Sequence, residues 1–596
     1  MSERFWRNFS TLLGRLSIGL LFVLVIFCSC NAITDLDLWM HWRMGWWICH
    51  HGFVPDHDIL SFPNFGKPWI NHEWLFQVLV YQVQHHFGFN GLILMQALVV
   101  VSSFTVLLLL GYKRERQWVS VFGLFLVLMV FQPRFTIRPE IFSFLFLASF
   151  IYILSRHLNK PWAIYALVFM QILWSNMHFF FFFGPMLVCI FNKEYSTFKR
   201  TLPLLILACL ANPMTFKGAL DPVNVFFHLG DHHLFFANNL EFQKPLLPHT
   251  FFNGDYLWYK AMIVISALSF VLNYRRIDVR VLILWAIFLG FSMMAVRNLA
   301  FFAVAAYMVI MINTMAISSK NPVVDSIVKI ALLTWMIYVG MGIKAHENFL
   351  GISKSLYPQK AVDFLVQNKI KGNFFNDFNS GAYLTGRAYP NIKVFIFGHM
   401  EDGDKFLMDY QKIYNYGDAT VFKEFEGKYN ITGAFLNNAN QNISHPALLM
   451  FHSFPNWSIV YLDHDAVIFL KQTPDNKIFI DRFSVDLNHW KTNQSKSDDY
   501  LRRAYILEIL GADEGAINEL KEAVRQAPDF GPGYNMLGKI YNKIGQYPQA
   551  LENYRLGYKL TGDIKAEYWL SQYHIVKDRL SILTAYLLQR GPISVK

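Results

Sequence analysis

Two short stretches of the sequence place charged residues directly beside long apolar runs. The first, "ITDLDLWMHW", puts Asp35 and Asp37 behind an apolar run that ends near residue 32. The second, "FQPRFTIRPEIF", puts Arg134 and Arg138 between two apolar runs. A carboxylate in such a place can act as a general base on a hydroxyl group or hold a divalent cation. A guanidinium group can bind a phosphate through two parallel hydrogen bonds. These residue types therefore suit group transfer from a phosphate that is linked to a lipid.

Further ionisable residues lie at the same predicted depth, at the outer ends of apolar runs. We expect substrate-binding roles for Arg134, Arg138, His72, Glu73, His178 and Arg297. Ionisable residues at membrane depth indicate function by default. Structural interpretations stay open beside this one. The aspartates can form a solvated helix end, the arginines can anchor to lipid headgroups, His72 and Glu73 can orient a helix, and His178 can be a packing histidine.

The composition is that of a membrane protein. Charged residues make up 16% of the 596 residues, well below the roughly 25% of soluble domains. Apolar runs of spanning or nearly spanning length recur as far as about residue 345. The net charge of +11 does not indicate a nucleic-acid partner, because the basic residues form short clusters between these runs, such as "KRER" at 113–116. That distribution is the positive-inside pattern, which sets the orientation of the spans.

The charge pattern predicts a multi-pass topology with the N-terminus in the cytoplasm. We expect eleven spans, near residues 12–32, 91–111, 117–131, 140–155, 162–176, 178–191, 201–212, 256–273, 279–296, 299–316 and 327–345. The odd number places the C-terminal part outside and makes 33–90 and 213–255 long outer loops. In the first of these, residues 72–87 are predicted to form an interfacial amphipathic helix, and a row of tryptophans fits an aromatic belt at the membrane surface.

The pattern divides the chain into three domains. Residues 1–345 form the membrane domain, and residues 346–480 alternate helical and strand patterns, which predicts an outer α/β domain with "NSGAY" as a turn. Residues 495–590 carry a repeat with a period of 34, which pairs Gly511 with Gly545 and Ala516 with Ala550. This segment resembles tetratricopeptide (TPR) repeats. The repeats can form a groove for a protein partner or a cap on the preceding domain.

Several motifs together resemble the GT-C superfamily of integral-membrane glycosyltransferases, and an uncharacterised bacterial branch of it most of all. They are "DLDLWMHWRMG", "PDHDILSF", "PWINHEWL", "RFTIRPEIF", "WSNMHF", "ANP" and "GNFFNDFNSGAYLTGRAYPNIKVFIFGHMEDGD", within residues 15–475. The resemblance implies a multi-span α-helical bundle with an outer soluble domain, and a polyprenyl-phosphate sugar as the donor. It also implies that Asp35 or Asp37 is the catalytic base or a ligand of Mg²⁺ or Mn²⁺.

The leading hypothesis is a GT-C-type glycosyltransferase at the outer face of a bacterial inner membrane, with its C-terminal domains in the periplasm. Asp35 or Asp37 would activate the acceptor, and Arg134, Arg138 and Arg297 would hold the donor phosphate. One rival is a non-enzymatic membrane scaffold of the same shape, whose repeats organise an envelope complex. A second rival, a transporter or flippase, predicts ionisable groups in the middle of the spans, whereas the sequence places them at the outer ends.

Overall fold

The computed structural model describes residues 3–191, 195–227, 239–247, 254, 256–315, 321–343, 348–353, 355–398, 403–439 and 443–562. Contacts divide the chain into two compact units. The membrane unit comprises residues 1–353, 385–389 and 398–408, and the C-terminal unit comprises residues 354–384, 390–397 and 409–596. The α/β elements and the repeat helices thus belong to one unit, and the division into separate domains at 346–480 and 495–590 stays a prediction.

The membrane unit is built from α-helices. They are α1 (Glu3–Ser29), α2 (Leu38–His51), α3 (Trp74–Gly111), α4 (Gln117–Phe131), α5 (Glu140–Arg156), α6 (Pro161–Ser175), α7 (Phe183–Phe191), α8 (Tyr195–Cys209), α9 (Thr215–Phe227), α10 (Leu257–Leu272), α11 (Val279–Met294), α12 (Leu299–Asn313) and α13 (Pro322–Met341). Each of the eleven predicted spans coincides with one of these helices. The helices that the apolar runs predict are therefore confirmed.

Five helical segments in the described part of the chain are long and apolar enough to cross a membrane. They are Glu3–Ser29, Trp74–Gly111, Arg114–Arg134, Val296–Asn313 and Pro322–Met341, and four shorter segments (Pro161–Ser175, Phe179–Phe191, Leu257–Leu272 and Val279–Met294) are also apolar. The chain is a multi-pass membrane protein on this evidence. The number of crossings and their orientation stay predictions.

The two long outer loops of the sequence prediction both contain helices. Residues 33–90 include α2, and residues 213–255 include α9, two helices that the sequence analysis does not predict. Helix α2 packs on the first part of α3: an added Cβ on Gly45 would lie 1.9 Å from the carbonyl oxygen of Gln77. Trp39 is fully buried and lies 5.1 Å from the ring of Phe89. This tryptophan therefore packs inside the protein and does not form part of an aromatic belt.

Helix α3 bends at Gly88, between the predicted interfacial helix and the predicted crossing. The backbone of Gly88 has φ 68° and ψ −173°, a conformation that is essentially restricted to glycine. The two helical segments are confirmed on either side of this bend. The sequence predicts that the chain turns here from along the membrane surface to across the membrane. Gly88 permits this bend because it has no side chain.

Substitution of Gly88 by alanine is expected to destabilise the protein through the backbone alone. An added Cβ would have no atom within 4 Å, so the cost of about 1–3 kcal/mol comes from the strained φ and ψ angles. Thermal unfolding of the purified full-length protein in detergent measures it as a lower midpoint. Gly19→Ala in α1 is the matched control, because that position is equally open and is helical. Equal midpoints for the two variants would contradict the prediction.

A buried helix stands behind the candidate site. Nearly every residue of α12 is buried, as expected of a helix that is apolar all round, and it packs against α4 and α5. Helix α4 leads to Arg134, α5 begins at Glu140, and α12 follows Arg297. Three closely packed helix ends thus position these charged side chains.

The C-terminal unit contains a five-stranded mixed sheet, which confirms the predicted α/β pattern. Its strands are β1 (Gly372–Asn376), β2 (Ile392–Val394), β3 (Ile431–Asn437), β4 (Trp457–Leu462) and β5 (Ala466–Lys471) in the order β2-β1-β3-β5-β4. The first three are parallel, and β5 is antiparallel to β3 and β4. Among them lie α14 (Gln359–Gln367), α15 (Phe378–Ala388), α16 (Gly403–Tyr416), α17 (Ala419–Tyr429), α18 (His445–Ser453) and α19 (Pro474–Phe483).

The predicted turn at "NSGAY" is wrong, because these residues lie within α15. The carboxylate of Asp377 accepts hydrogen bonds from the backbone N–H and the hydroxyl group of Ser380, which satisfies the first turn of the helix. Gly381 permits the close approach of the helix to the end of β2, since an added Cβ would lie 1.9 Å from the carbonyl oxygen of Ile396. Serine and glycine serve helix capping and packing here, and not a turn.

As far as residue 562, where the described part of the chain ends, four helices follow in two pairs: α20 (Ser497–Ile509) with α21 (Asp513–Gln526), and α22 (Gly531–Lys543) with α23 (Tyr547–Thr561). Gly511 and Gly545, which are 34 residues apart, both have positive φ angles in the turn within each pair. The period of 34 therefore corresponds to a repeated structural unit. The TPR assignment and its protein partner stay predictions, and residues 563–590 of the predicted repeat segment lie outside the described residues.

Candidate functional site

The segment between α4 and α5 presents its arginines on one side by simple alternation. Phe135 and Ile137 are buried in the core of the membrane unit, while Arg134 and Arg138 stay partly accessible. Two backbone hydrogen bonds, from Thr136 N–H to the Arg134 carbonyl and from Arg138 N–H to the Thr136 carbonyl, keep this segment tightly turned. The two apolar side chains thus anchor the segment and direct both guanidinium groups the opposite way.

Arg138 lies among three carboxylates. Its Nε donates to Oδ2 of Asp35, its Nη2 lies 3.0 Å from Oδ2 of Asp37, and its Nη1 lies 2.9 Å from Oε2 of Glu241. These contacts use all three nitrogens of the planar guanidinium group. The structure therefore brings both predicted aspartates and one predicted arginine into a single cluster.

Arg134 and Arg297 extend this cluster on its other side. Nε of Arg134 donates to Oε1 of Glu140 at 2.5 Å, and its Nη1 lies 2.9 Å from Oε1 of Glu241. Nη2 of Arg297 lies 3.8 Å from Oε2 of Glu140, which is too long for a hydrogen bond. The guanidinium group of Arg297 also lies over the ring of Phe242, 5.0 Å from its centroid. Of the three arginines, Arg297 has the loosest ion pairing.

Asp35 and Asp37 have different surroundings. The side chain of Asp35 is 3% exposed; its Oδ1 accepts the backbone N–H of Asp37 at 2.9 Å, and its Oδ2 accepts from Arg138. The side chain of Asp37, at the start of α2, is 38% exposed. Both oxygens of Asp35 are thus used in contacts with Arg138 and the backbone of Asp37, and Asp37 is the aspartate that a substrate can reach.

The charges of the cluster shift two pKa values in opposite directions. Burial alone would raise the pKa of Glu241, but the guanidinium groups of Arg138, Arg134 and Arg297 outweigh it and lower the pKa to about 2. The pKa of Asp37 is raised, first by the surrounding protein and then by the like charges of Asp35 and Glu241, against the opposing effect of Arg138. Glu241 is a permanent anion, and Asp37 takes up a proton more readily than a free aspartate.

Among Arg134, Arg138 and Arg297, two buried N–H groups have no hydrogen-bond partner in the described residues. They are Nη2 of Arg134 and Nε of Arg297. A buried donor without an acceptor costs free energy, and such groups in a native site call for a ligand or another explanation. Both groups belong to cations, so an anion is the chemically matched ligand.

His72 and Glu73 lie in a second set of contacts. Nδ1 of His72 lies 3.3 Å from Oδ2 of Asp221, and Oε2 of Glu73 lies 3.8 Å from Nδ1 of His41. Burial lowers the pKa of His72, but Asp221 and Glu73 outweigh it, so the pKa is raised overall. His41 in turn acts electrostatically on Asp37. These residues therefore border the first cluster without sharing an ion pair with it.

His178 contacts an uncharged residue, unlike the other candidate residues. Its Nδ1 is 2.7 Å from the hydroxyl oxygen of Ser143, which also accepts the indole N–H of Trp174. The imidazole is almost fully buried. These contacts are those of a packing histidine, and a substrate-binding role for His178 stays a prediction.

The described residues do not form a ready site for a divalent cation. No group of three or more His, Cys, Asp or Glu side chains among them is arranged to hold a metal ion. Both oxygens of Asp35 accept hydrogen bonds, and Asp37 and Glu241 are paired with the guanidinium group of Arg138. The ligand set that we predicted for Mg²⁺ or Mn²⁺ at Asp35 and Asp37 does not fit this arrangement.

The structure adds Asp221 to the site and gives ion-pair partners to Glu241, an ionisable residue that the sequence already places on the outer side. Glu241 bridges Arg134 and Arg138, and Asp221 pairs with His72. Both lie within residues 213–255, which the sequence assigns to an outer loop. In the sequence, each of these two residues is an acidic residue in a mostly apolar segment, on the same predicted side of the membrane as the arginines.

Comparisons with known proteins find similarity of structure only. The oligosaccharyltransferase of Archaeoglobus fulgidus, solved in complex with zinc and sulfate, is similar over 85% of this chain and 86% of its own, with a TM-score of 0.49 and 12% sequence identity. The arabinofuranosyltransferase AftD from Mycobacteria is similar over 80% of this chain and 40% of its own, with a TM-score of 0.46 and 11% identity.

No family model matches the chain, and no curated protein matches its sequence. Identities of 12% and 11% transfer no residue role. The function proposed below therefore stands on the side chains of the site.

Proposed function

We propose that the protein is a glycosyltransferase that moves a sugar from a polyprenyl-phosphate carrier to an acceptor hydroxyl group. The observation that carries this proposal is a charged cluster that holds both Asp37, an accessible carboxylate paired with Arg138, and Arg134, which has an unpartnered buried N–H group and is joined to Arg138 through Glu241. Base and phosphate-binding groups lie together at the ends of apolar helices. A donor whose lipid tail stays in the membrane presents its phosphate at that level.

The reaction assigns a separate task to each side of the cluster. The acceptor oxygen forms a bond to the anomeric carbon of the sugar while the bond from that carbon to the phosphate oxygen breaks. The phosphate leaves with the bonding electron pair, and the proton of the acceptor passes to the carboxylate of Asp37. Arg134 and Arg297 donate to the phosphate and stabilise the charge that it gains. Asp35 and Glu241 keep Arg138 in place.

We assign the reaction to the outer face of a bacterial inner membrane. The support for this orientation is the basic clusters between the apolar runs, which indicate the cytoplasmic side. The C-terminal unit then lies in the periplasm, where its repeat helices would recruit an acceptor or an assembly partner. No divalent cation takes part in the proposed step, because the carboxylates that would hold one are paired with Arg138.

The experiment that tests this function compares envelope glycans of a strain that lacks the protein with those of its parent. We expect mass spectrometry to find one glycan, glycolipid or glycoprotein that has lost a single sugar, and to find the undecaprenyl-phosphate sugar donor accumulated. Complementation with the wild-type gene restores both. An unchanged glycan profile under conditions in which the parent expresses the protein would contradict the proposal.

A second pair of strains separates the enzyme from a scaffold of the same shape. One carries Asp35→Asn together with Asp37→Asn, and the other lacks residues 497–596. The glycosyltransferase proposal expects the double substitution to abolish sugar transfer while the protein stays in the membrane. Full transfer in the double variant, together with its loss on deletion of the repeats, would favour the scaffold.

A further inference from the structure

The three carboxylates around Arg138 come from two separate segments of the membrane unit. Asp35 and Asp37 lie between α1 and the start of α2, Glu241 lies in the segment 239–247, and Arg138 lies between α4 and α5. Their oxygens converge on one guanidinium group through contacts to Nε, Nη2 and Nη1. Carboxylates from distant segments that converge in this way are also the usual means of holding a divalent cation.

A divalent cation and the guanidinium group compete for the same oxygen atoms. Mg²⁺ requires near-octahedral oxygen ligands at about 2.0–2.1 Å, and each lone pair that accepts an N–H group is lost to the metal. In this structure Asp35 accepts through both oxygens, from Arg138 and from the backbone N–H of Asp37. Both oxygens of Glu241 accept from Nη1 of Arg138. A metal ion among these carboxylates would also meet the positive charge of Arg138 at close range.

Arg138 cannot vacate its position by losing its charge. A guanidinium group stays protonated in proteins, and here three anions surround it. Phe135 and Ile137, which are buried in the core, fix the backbone on which it stands. The group is therefore a permanent part of the site.

We propose that Arg138 is the resident cation of this site: its guanidinium group occupies the place of a divalent metal ion among Asp35, Asp37 and Glu241, and the protein works without such an ion. Arg138 is a positioning residue, since it acts on the reaction through the carboxylates that it orients. The effect of Arg138 on catalysis rests on the proposed glycosyltransferase function. The exclusion of a metal ion by Arg138 does not rest on that function, so each of the two proposals can fail while the other holds.

Binding of Mn²⁺ to the full-length protein in lipid nanodiscs tests this proposal without any donor or acceptor. Electron paramagnetic resonance reports the free ion, so binding appears as a loss of signal. We expect the wild type to leave the signal unchanged and Arg138→Met to bind one Mn²⁺ per protein, because Asp35 and Asp37 then lose their guanidinium partner and Glu241 keeps only that of Arg134. Adding Asp35→Asn to Arg138→Met is expected to abolish the acquired binding.

Two further variants control for charge and for folding. Arg138→Lys keeps the positive charge and is expected to bind no Mn²⁺, like the wild type. Arg280→Met removes an arginine that pairs with Asp278 at the start of α11, leaves the aspartates paired with Arg138, and is expected to bind none either. Arg138→Gln replaces Arg138→Met if the latter does not elute as a monodisperse protein.

Two results would overturn the proposal. The first is stoichiometric binding of Mn²⁺ by the wild type that Asp37→Asn removes, which would place a metal among these carboxylates beside Arg138. The second is a folded Arg138→Met or Arg138→Gln variant that binds no Mn²⁺, which would show that the position of the guanidinium group is not one that a cation can fill.

Discussion

Asp37→Asn is expected to lower the rate constant of sugar transfer by about 10²–10⁴-fold, the usual contribution of a general base. The amide keeps the shape of the side chain and its place at the start of α2 but cannot accept the proton of the acceptor hydroxyl group. Its contact with Arg138 weakens without leaving an uncompensated charge, because Arg138 stays paired with Asp35 and Glu241. The measurement is kcat for transfer from an undecaprenyl-phosphate sugar by the purified protein.

Asp56→Asn is the matched control for this change. Asp56 is an exposed aspartate of the same 33–90 segment that pairs with His57, and its substitution is expected to leave kcat unchanged. Asp37→Glu restores part of the activity, since it returns a carboxylate at a slightly different distance. An Asp37→Asn variant with wild-type kcat would remove Asp37 from the role of base.

The pH profile gives the same assignment a second readout. The base works only when ionised, and the pKa of Asp37 is raised by desolvation of the part of its side chain that packs on the protein and by the neighbouring carboxylates, against the opposing effect of Arg138. Activity of the wild type is therefore complete above this raised pKa and is lost as the pH falls through it, at a higher pH than for a free aspartate. Asp56→Asn does not move this limb of the profile, whereas Asp37→Glu does.

The location of the charged residues at the ends of helices was predictable, because membrane helices have strong sequence signals. Apolar runs mark α4, α5 and α12, and the residues at their ends, Arg138 among them, follow directly. Convergence of these ends was a reasonable expectation, since helices of a bundle place their ends at shared levels. The change from an amphipathic stretch to a fully apolar stretch likewise indicated a bend near Gly88.

The division of labour within the site was not predictable from these signals. Asp35 and Asp37 are equivalent in the motif, and only the hydrogen bond from Asp37 N–H to Asp35 and the contacts of Arg138 separate a buried residue from an accessible one. The pairing of Glu241 depends on a fold of residues 239–247 that has no periodic pattern. Helix α2 was missed because tryptophans fit both a membrane-surface belt and a packed helix.

Arg134 and Arg297 hold unpartnered N–H groups, but substitution of Arg134 does not isolate phosphate binding. Its Nε donates to Glu140, whose side chain is 1% exposed. Removal of one partner of a buried ion pair leaves the other charge uncompensated and costs about 3–5 kcal/mol. A loss of activity in such a variant reports folding as much as binding. Arg297 has a longer contact with Glu140 and packs on Phe242, so it is the better probe.

Arg297→Met is expected to lower kcat/KM for the lipid-phosphate donor by about 10²–10³-fold, as for removal of a group that stabilises developing negative charge. The methionine keeps the packing on Phe242 and removes the N–H groups. Arg297→Lys retains charge but not the planar fork, so its kcat/KM falls between those of the wild type and Arg297→Met. Arg280→Met, which removes an arginine that pairs with Asp278 at the start of α11, is the control and keeps full activity.

The pH profile separates phosphate binding from an effect on the base. Because Asp37 is unchanged in Arg297→Met, the loss of activity at low pH stays at the same pH while the donor affinity falls. Wild-type kcat/KM in Arg297→Met would mean that the phosphate binds elsewhere, whereas a moved pH limb would mean that Arg297 acts through Asp37.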